Sequence, residues 1–326
     1  MMNRPLNSIV VDTIIKYIPD YQNPVEYIMD ILDLGKDSIY RRINGKIPFT
    51  FEELAKLSKR LNFSLDVILK DEDNLNASIM GELEKFSPKD ILINKLQVFY
   101  NLKKSFMSDI NSFKSIASFN KLYIFLIPKY ENLFKYYYYR WIYQIDDLSI
   151  LFSFSELKVP GELIELQKKL NQVMYVNNET NYIMCPNALS NTVRDIQYFY
   201  KRELITKEEL ILLKEELLEM MRNLESTLKI ARNEYDSLTN IFVSTVSIDS
   251  SILYIEHKET KMAVNWYNQI CPIFEYDLRK ILEYKIWLDS LKKFSTLISR
   301  SNYEYTAIFI KKQIKIIESM DNIENT

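Results

Sequence analysis

Glycine, proline, cysteine and histidine are all scarce in this chain of 326 residues, which contains 4 glycines, 9 prolines, 2 cysteines and 1 histidine. All-β proteins need many tight turns, and glycine and proline form most of these turns. We therefore expect mainly α structure. Cys185 and Cys271 are each followed by proline and give no sign of a disulfide framework, so we expect reduced thiols.

Long apolar runs and a recognisable secretory signal are also missing. The longest apolar stretch, residues 122–128, is far shorter than the ~20 residues of a membrane-spanning helix. Residues 1–5 lead into a mixed polar and apolar segment, which is unlike the apolar core of a signal peptide. We therefore expect a cytoplasmic protein with no membrane partner.

Catalytic and metal-binding constellations are not evident. The single histidine, His257, stands in the sequence Glu256-His257-Lys258, which is typical of an exposed turn. Neither a phosphate-binding glycine loop, nor a Cys/His metal pattern, nor the nucleophile elbow of hydrolases occurs. We therefore expect a protein that is not an enzyme and has no cofactor.

Positive charge is concentrated in one short region, although the whole chain has a net charge of −2. Residues 34–60 contain seven basic residues against three acidic ones. The basic residues are Lys36, Arg41, Arg42, Lys46, Lys56, Lys59 and Arg60. A basic surface limited to one small domain is typical of proteins that contact DNA phosphates.

The same region contains the signals of several short helices. Apolar residues at helical spacing over 6–18 predict the first helix. Asn23 is suited to be the N-cap of a second helix, with Pro24 at its first position. After a break of a few residues, a third helix is predicted over 36–43 and ends at the Asn-Gly pair that follows it.

Two further helices complete the predicted N-terminal domain. Thr50 and Glu53 form a capping box that opens the fourth helix. A fifth, short helix is predicted over 64–69. On the third helix, Lys36, Tyr40 and Arg41 are expected to be exposed. Arginine can bind guanine through two hydrogen bonds, so this helix could enter the DNA major groove.

A resemblance to a known family rests on three segments and their spacing, LDLGKDSI at 32–39, NGKIP at 44–48 and ELAKL at 53–57. Together they resemble the phage-repressor type of helix-turn-helix domain (Cro/cI, or XRE) over residues 6–70. The resemblance implies a five-helix, lambda-repressor-like fold whose third helix recognises an operator in double-stranded DNA. It also implies a homodimer that regulates transcription.

Three positions depart from the family pattern. Met29 stands where a small residue is usual, Asp33 where glycine is usual, and Gly35 where Ser or Thr usually opens the recognition helix. Aspartate can adopt a left-handed conformation, and glycine can serve as an N-cap. The last two departures are therefore compatible with the fold.

By position, the resemblance assigns eight candidate DNA-binding residues. Those expected to contact bases are Lys36, Asp37, Tyr40 and Arg41. Those expected to contact phosphates are Ser38, Asn44 and Lys46. The eighth, Arg42, stands where an apolar residue is common, so its direction, toward DNA or toward the core, stays open here.

The polar segment 71–76 predicts a domain boundary, with the DNA-binding domain at 1–72 and a larger helical domain at 73–326. Residues 130–143 contain eight aromatic residues, which could line a groove or pack between helices. Thr206 opens a capping box and a helix of ~30 residues at the usual rise. The apolar seam of this helix could form a dimer interface or lie in the core.

β-branched and aromatic residues at 241–248 and 251–255 predict a small β-hairpin, with a third strand at 261–266. Helices around 276–297 and 303–320 complete the predicted C-terminal domain.

Three functional hypotheses follow. The first is a dimeric DNA-binding transcriptional regulator whose helical C-terminal domain dimerises and senses a small-molecule or peptide effector. The second resembles peptide-responsive regulators with a helical-repeat receptor, although no 34-residue repeat is evident. The third is an antitoxin-like or scaffold module that binds protein instead of DNA.

Overall fold

The computed structural model describes residues 5–19, 21–61, 63, 65, 88–145, 152–275 and 277–321. The contacts between Cα atoms divide the chain into a first unit, Met1–Phe86, and a second unit, Ser87–Thr326. The boundary predicted after residue 72 lies outside the described residues, as does most of the predicted helix at 64–69. Within the described ranges, no helix is long and apolar enough to cross a membrane.

Four short helices form the described part of the first unit. They are α1 (Leu6–Tyr17), α2 (Pro24–Leu32), α3 (Lys36–Ile43) and α4 (Phe51–Leu61). Each helix contributes a residue that is at most 1% exposed to one apolar core, namely Ile14, Ile28, Ile39 and Leu57. The amphipathic pattern of each short helix therefore has its apolar side buried, as expected for helices stabilised by tertiary packing.

The predicted caps of these helices are confirmed. The side chain of Asn23 accepts a hydrogen bond of 2.9 Å from the Val25 amide at the start of α2. At the start of α4, the Thr50 hydroxyl accepts from the Glu53 amide at 3.3 Å, while the Glu53 carboxylate accepts from the Thr50 amide at 2.9 Å. Asp33 ends α2 in the left-handed conformation, with φ 55° and ψ 46°.

The second unit contains a seven-stranded mixed sheet, so the predicted mainly α fold with a larger helical domain is wrong. The strands are β1 (Phe113–Phe119), β2 (Glu179–Met184), β3 (Leu238–Ser244), β4 (Ile252–His257), β5 (Thr260–Tyr267), β6 (Cys271–Glu275) and β7 (Ser295–Leu297). Their order in the sheet is β6-β5-β4-β1-β2-β3-β7. A receptor built only of helical repeats is therefore also excluded for this unit.

Two physical reasons explain why the sheet was not predicted. Strands β1, β2 and β3 run parallel and are connected through helices, which need no glycine-rich tight turns. Where tight turns do occur, residues other than glycine adopt the left-handed conformation. Lys258 in the β4–β5 turn has φ 52°, and Asn268 and Gln269 between β5 and β6 have φ 58° and 57°. The scarcity of glycine therefore did not exclude strands.

The predicted strands at 241–248, 251–255 and 261–266 correspond to β3, β4 and β5, but the predicted pairing of the first two is wrong. β3 pairs with β2 and β7, while β4 pairs with β1 and β5. The hairpin of this region is β4–β5, in which His257 pairs with Thr260. His257 itself is 8% exposed, and its ring centroid lies 4.7 Å from that of Phe106, so its predicted position in an exposed turn is wrong.

Helices cover both faces of the sheet. The described helices of this unit are α5 (Pro88–Phe106), α6 (Glu131–Ile145), α7 (Gly161–Met174), α8 (Ala188–Tyr200), α9 (Lys207–Ile230), α10 (Leu278–Lys293) and α11 (Tyr303–Glu318). Ile281 and Leu288 of α10 pack against Tyr254 and Ala263 on one face. On the other face, Phe99 of α5 contacts Trp266 with ring centroids 6.0 Å apart.

The aromatic segment and the long helix both belong to the core of this unit. On α6, the side chains of Tyr136, Tyr137 and Tyr139 are fully buried, so ordinary packing accounts for most of the aromatic segment. On α9, the apolar seam is also buried within the unit. This helix ends at Ile230 because Ala231 is left-handed at φ 52°, so it is shorter than predicted.

Candidate nucleic-acid interface

Four of the predicted DNA-binding residues are exposed side by side on α3. Lys36, Asp37, Tyr40 and Arg41 are exposed, whereas Ile39 on the opposite side of the helix is fully buried. The Lys36 ammonium lies 6.0 Å from the centroid of the Tyr40 ring. Together these groups present two positive charges, a carboxylate and a phenol, which are suited to phosphate oxygens and to base edges.

The N-terminus of α3 is formed by Gly35, with φ −66° and ψ 152°. Its carbonyl accepts hydrogen bonds from the amides of Ser38 at 2.9 Å and Ile39 at 3.2 Å. No side chain of the described residues caps this end, so the first amides of the helix stay available to an anion.

The turn after α3 places two further predicted residues at the surface. Asn44 and Lys46 are both exposed. Gly45 between them has φ 74°, a conformation that favours glycine. The Lys46 amide donates to the Arg41 carbonyl at 2.8 Å, which keeps the turn against the end of α3.

Arg42 faces the interior of the unit, which answers the question that the sequence left open. Its guanidinium donates to both carboxylate oxygens of Glu53, at 2.9 and 2.7 Å, and to the Ser38 hydroxyl at 2.6 Å. The side chains of Arg42 and Glu53 are only 11% and 15% exposed. Arg42 therefore connects α3 to α4, Ser38 is bonded to Arg42 within α3, and neither residue joins the exposed group.

Glu53 has two roles in this arrangement, since it caps α4 and holds Arg42. Burial alone would raise the pKa of its carboxyl. The hydrogen bonds from Arg42 and from the Thr50 amide outweigh burial and lower this pKa below its ordinary value. The carboxylate is therefore ionised at neutral pH and positions α3 through a charged pair. The capping box was visible in the sequence, but the partner of Glu53 was not.

The basic residues of the 34–60 region do not form a single surface. Lys56, Lys59 and Arg60 line a groove with Tyr27 and Asp30 of α2, and none of the exposed α3 side chains belongs to it. Among the described residues, no three His, Cys, Asp or Glu side chains are grouped as a metal ion would require. The exposed side of α3 and its following turn is therefore the best candidate interface.

The sequence of this unit matches a known domain family. Residues 16–86 match the BetR domain. This is an HTH-like family of DNA-binding domains, so the predicted helix-turn-helix DNA-binding domain is confirmed at that level. The more specific Cro or XRE type is not confirmed. The match covers less than a quarter of the chain and does not extend into the second unit.

One curated protein is similar to part of the chain. It is a probable polyketide synthase 22 of Dictyostelium discoideum, which is 31% identical over 136 residues. The similar region is 38% of this chain but only 5% of that protein. The similarity therefore supports no conclusion about the function of this chain. No solved structure matches the chain significantly.

Proposed function

We propose that this chain is a sequence-specific DNA-binding transcriptional regulator that reads double-stranded DNA with α3. The observation that carries this proposal is the exposed group of Lys36, Asp37, Tyr40 and Arg41, held on a helix whose opposite side is buried. The BetR match over residues 16–86 supports the same role. No catalytic step is assigned to the chain.

Within this proposal, the exposed residues divide into two roles. Arg41 and Lys36 donate to guanine O6 and N7, Asp37 accepts from cytosine N4, and Tyr40 contacts a neighbouring base. Asn44 and Lys46, in the turn after α3, bind phosphates and set the position of the helix in the groove. Arg42 and Ser38 act as positioning residues, because the Arg42 guanidinium donates both to the Ser38 hydroxyl and to Glu53.

We propose further that the regulator acts as a homodimer. A single domain of this size contacts few base pairs, whereas two domains on a symmetric operator double the contacts and place the half-sites about one helical turn apart. The second unit would supply the dimer contacts. A protein that stays monomeric with and without its selected DNA would contradict this part of the proposal.

The test begins with selection of binding sites from a random duplex library by the full-length protein at near-physiological salt. An inverted repeat is the expected result. On the selected site, Arg41→Ala should weaken binding by about 1–3 kcal/mol and relax the preference at one base pair. The matched control is Arg60→Ala, which removes one exposed positive charge from the same unit but outside α3.

Three outcomes would contradict the proposal. Equal weakening on all sequences would make Arg41 a phosphate contact. Equal effects of Arg41→Ala and Arg60→Ala would remove α3 from the interface. Failure to select any site, with protein shown to be folded, would favour a module that binds protein.

A further inference from the structure

A pocket of about 290 Å³ lies within the second unit, between the sheet and α9. Side chains on one face of three neighbouring strands form its floor. The strand register places Phe119 of β1 beside Met184 of β2, and Tyr182 of β2 beside Ile241 of β3. Because alternate residues of a strand share a face, these side chains form one continuous apolar surface.

The walls of the pocket come from α9 and from the segment that precedes α6. On α9, Met220, Leu224 and Thr227 line the pocket, and their spacing of four and three residues places them on one side of the helix. Leu126 and Tyr130 line it from the segment before α6. The lining is therefore mostly apolar and aromatic, as in sites that bind small organic molecules.

The charged residues of the lining are already paired. The Lys129 ammonium lies 2.7 Å from the Glu234 carboxylate, and the Arg232 guanidinium lies 3.3 Å from that of Asp236. None of the described lining residues thus offers an unpaired charge to a ligand. An ionised ligand would lose its hydration without gaining a counter-ion, which favours an uncharged occupant.

Three tyrosines line the pocket, and the Tyr175 hydroxyl already donates to the Leu126 carbonyl at 3.1 Å. The hydroxyls of the other two supply polar groups among the apolar side chains. The Tyr130 hydroxyl accepts a hydrogen bond of 2.9 Å from the Asn223 side-chain amide. The Tyr182 hydroxyl has no hydrogen-bond partner among the described residues. Burial raises the pKa of both tyrosines to about 12, so both are neutral donors at physiological pH.

We propose that this pocket binds a small, uncharged, mainly apolar molecule that accepts a hydrogen bond from the Tyr182 hydroxyl. The volume is at the lower end of the ~300–1,000 Å³ range of ligand pockets and suits a body of roughly two fused rings. The pocket lies wholly within the second unit and shares no residue with the candidate interface on α3. Either proposal can therefore fail while the other stands.

The test uses three probes of one shape with the full-length protein, without DNA, at pH 7 and by calorimetry. 2-Naphthol carries a hydroxyl, naphthalene carries no polar group, and 2-naphthoate is ionised. We expect one-to-one saturable binding of 2-naphthol, and binding of naphthalene that is weaker by about two- to tenfold, the effect of one hydrogen bond. The ionised 2-naphthoate should bind weakest.

Variants locate the binding in this pocket. Tyr182→Phe should lower the affinity for 2-naphthol to that for naphthalene and leave naphthalene unchanged. Leu224→Trp should fill the pocket and abolish binding of both. The matched control is Arg222→Trp, which places the same side chain at an exposed position of α9 outside the lining.

Absence of saturable 2-naphthol binding by folded protein would overturn the proposal. Equal affinity of 2-naphthol and 2-naphthoate would overturn the assignment of an uncharged ligand. If Leu224→Trp does not fold, the affinity of Tyr182→Phe for 2-naphthol tests the site, because this substitution removes only one oxygen atom. An unchanged affinity of Tyr182→Phe for 2-naphthol would then contradict the role of that hydroxyl.

Discussion

In the first unit, Lys36, Arg41 and Lys46 are exposed to solvent, while in the second unit Lys103 and Arg140 are each only 3% exposed. The two buried cations are bonded inside the unit. Lys103 donates to the Val176 carbonyl at 2.7 Å and to the side chain of Asn177. Arg140 forms an ion pair of 2.8 Å with Asp195.

This difference separates basic side chains that can bind another molecule from basic side chains that hold the fold. An exposed lysine keeps its hydration until a phosphate replaces it, whereas a buried one has lost its hydration and needs internal partners. Arg41 and Arg42 show the same contrast at neighbouring positions of one helix. Exposure together with a position on α3 or in the turn after it, and not the number of positive charges in a region, therefore identifies the candidate DNA contacts.

The largest expected effect concerns Lys103, whose pKa burial lowers from 10.5 to about 7. Between these values the unfolded chain binds the proton and the folded chain does not. The stability of the second unit should therefore rise with pH across this window. Lys103→Met should remove that contribution, which is up to about 1.4 kcal/mol per pH unit and roughly 2–3 kcal/mol between pH 7.5 and 9.5.

Urea unfolding followed by tryptophan fluorescence measures this effect, because Trp141, Trp266 and Trp287 all lie in the second unit. The control is Lys104→Met, which replaces the exposed neighbouring lysine. Parallel dependences on pH for the wild type and Lys103→Met would show that Lys103 stays protonated when folded. That result would contradict the lowering of the Lys103 pKa by burial.

The second prediction concerns the exception within the first unit, the buried Arg42. Arg42→Met leaves the Glu53 carboxylate without its main partner and should destabilise the first unit by about 1–3 kcal/mol. Arg41→Met should change stability by less than about 0.5 kcal/mol, since Arg41 is exposed. Amide hydrogen exchange of residues 51–61 reports the stability of α4 directly.

Two further results sharpen this second comparison. Arg42→Met combined with Glu53→Gln should cost less than the sum of the single changes, because neither charge is then left alone. The pKa of Glu53 is lowered in the folded state, so its ionised carboxylate stabilises the fold. This stabilisation is lost as the pH falls through the lowered pKa. This loss should shrink in Arg42→Met. Equal effects of the two arginine substitutions would contradict the internal role of Arg42.

The smallest expected effect concerns the start of α3. A side chain at Gly35 would meet no atom within 4 Å, and its φ of −66° is open to any residue. Gly35→Ser adds a hydroxyl that can accept from the first amides of the helix, and should stabilise α3 by a few tenths of a kcal/mol. Hydrogen exchange at 36–40 measures this, with Gly35→Ala as control. A stabilisation by alanine of the same size would contradict capping by the hydroxyl.

Much of the candidate interface could be predicted from the sequence, because its signals are local. Asn23 and the Thr50–Glu53 capping box determined where helices begin, and α3 has the predicted range of 36–43. The direction of Arg42 could not be predicted. It depends on Glu53, eleven positions away and on another helix.

In the second unit, by contrast, most of the strand pairing and the pocket could not be predicted from local signals in the sequence. Strands β1 and β2 are short and buried, and short apolar runs do not distinguish a strand from a helix segment. Their pairing joins residues far apart in sequence, such as Lys114 and Glu179. The pocket likewise combines residues of three strands, α9 and the segment before α6, so no single stretch of sequence reveals it.

The sequence by itself determined the short helices of the first unit, their caps and the residue types that α3 presents, because each depends on neighbours within about four positions. Only the tertiary structure decided that the second unit contains a sheet, that Arg42 points inward, and that Tyr182 lines a pocket. Strand pairing and burial bring together residues that are distant along the chain, and their energies depend on that proximity.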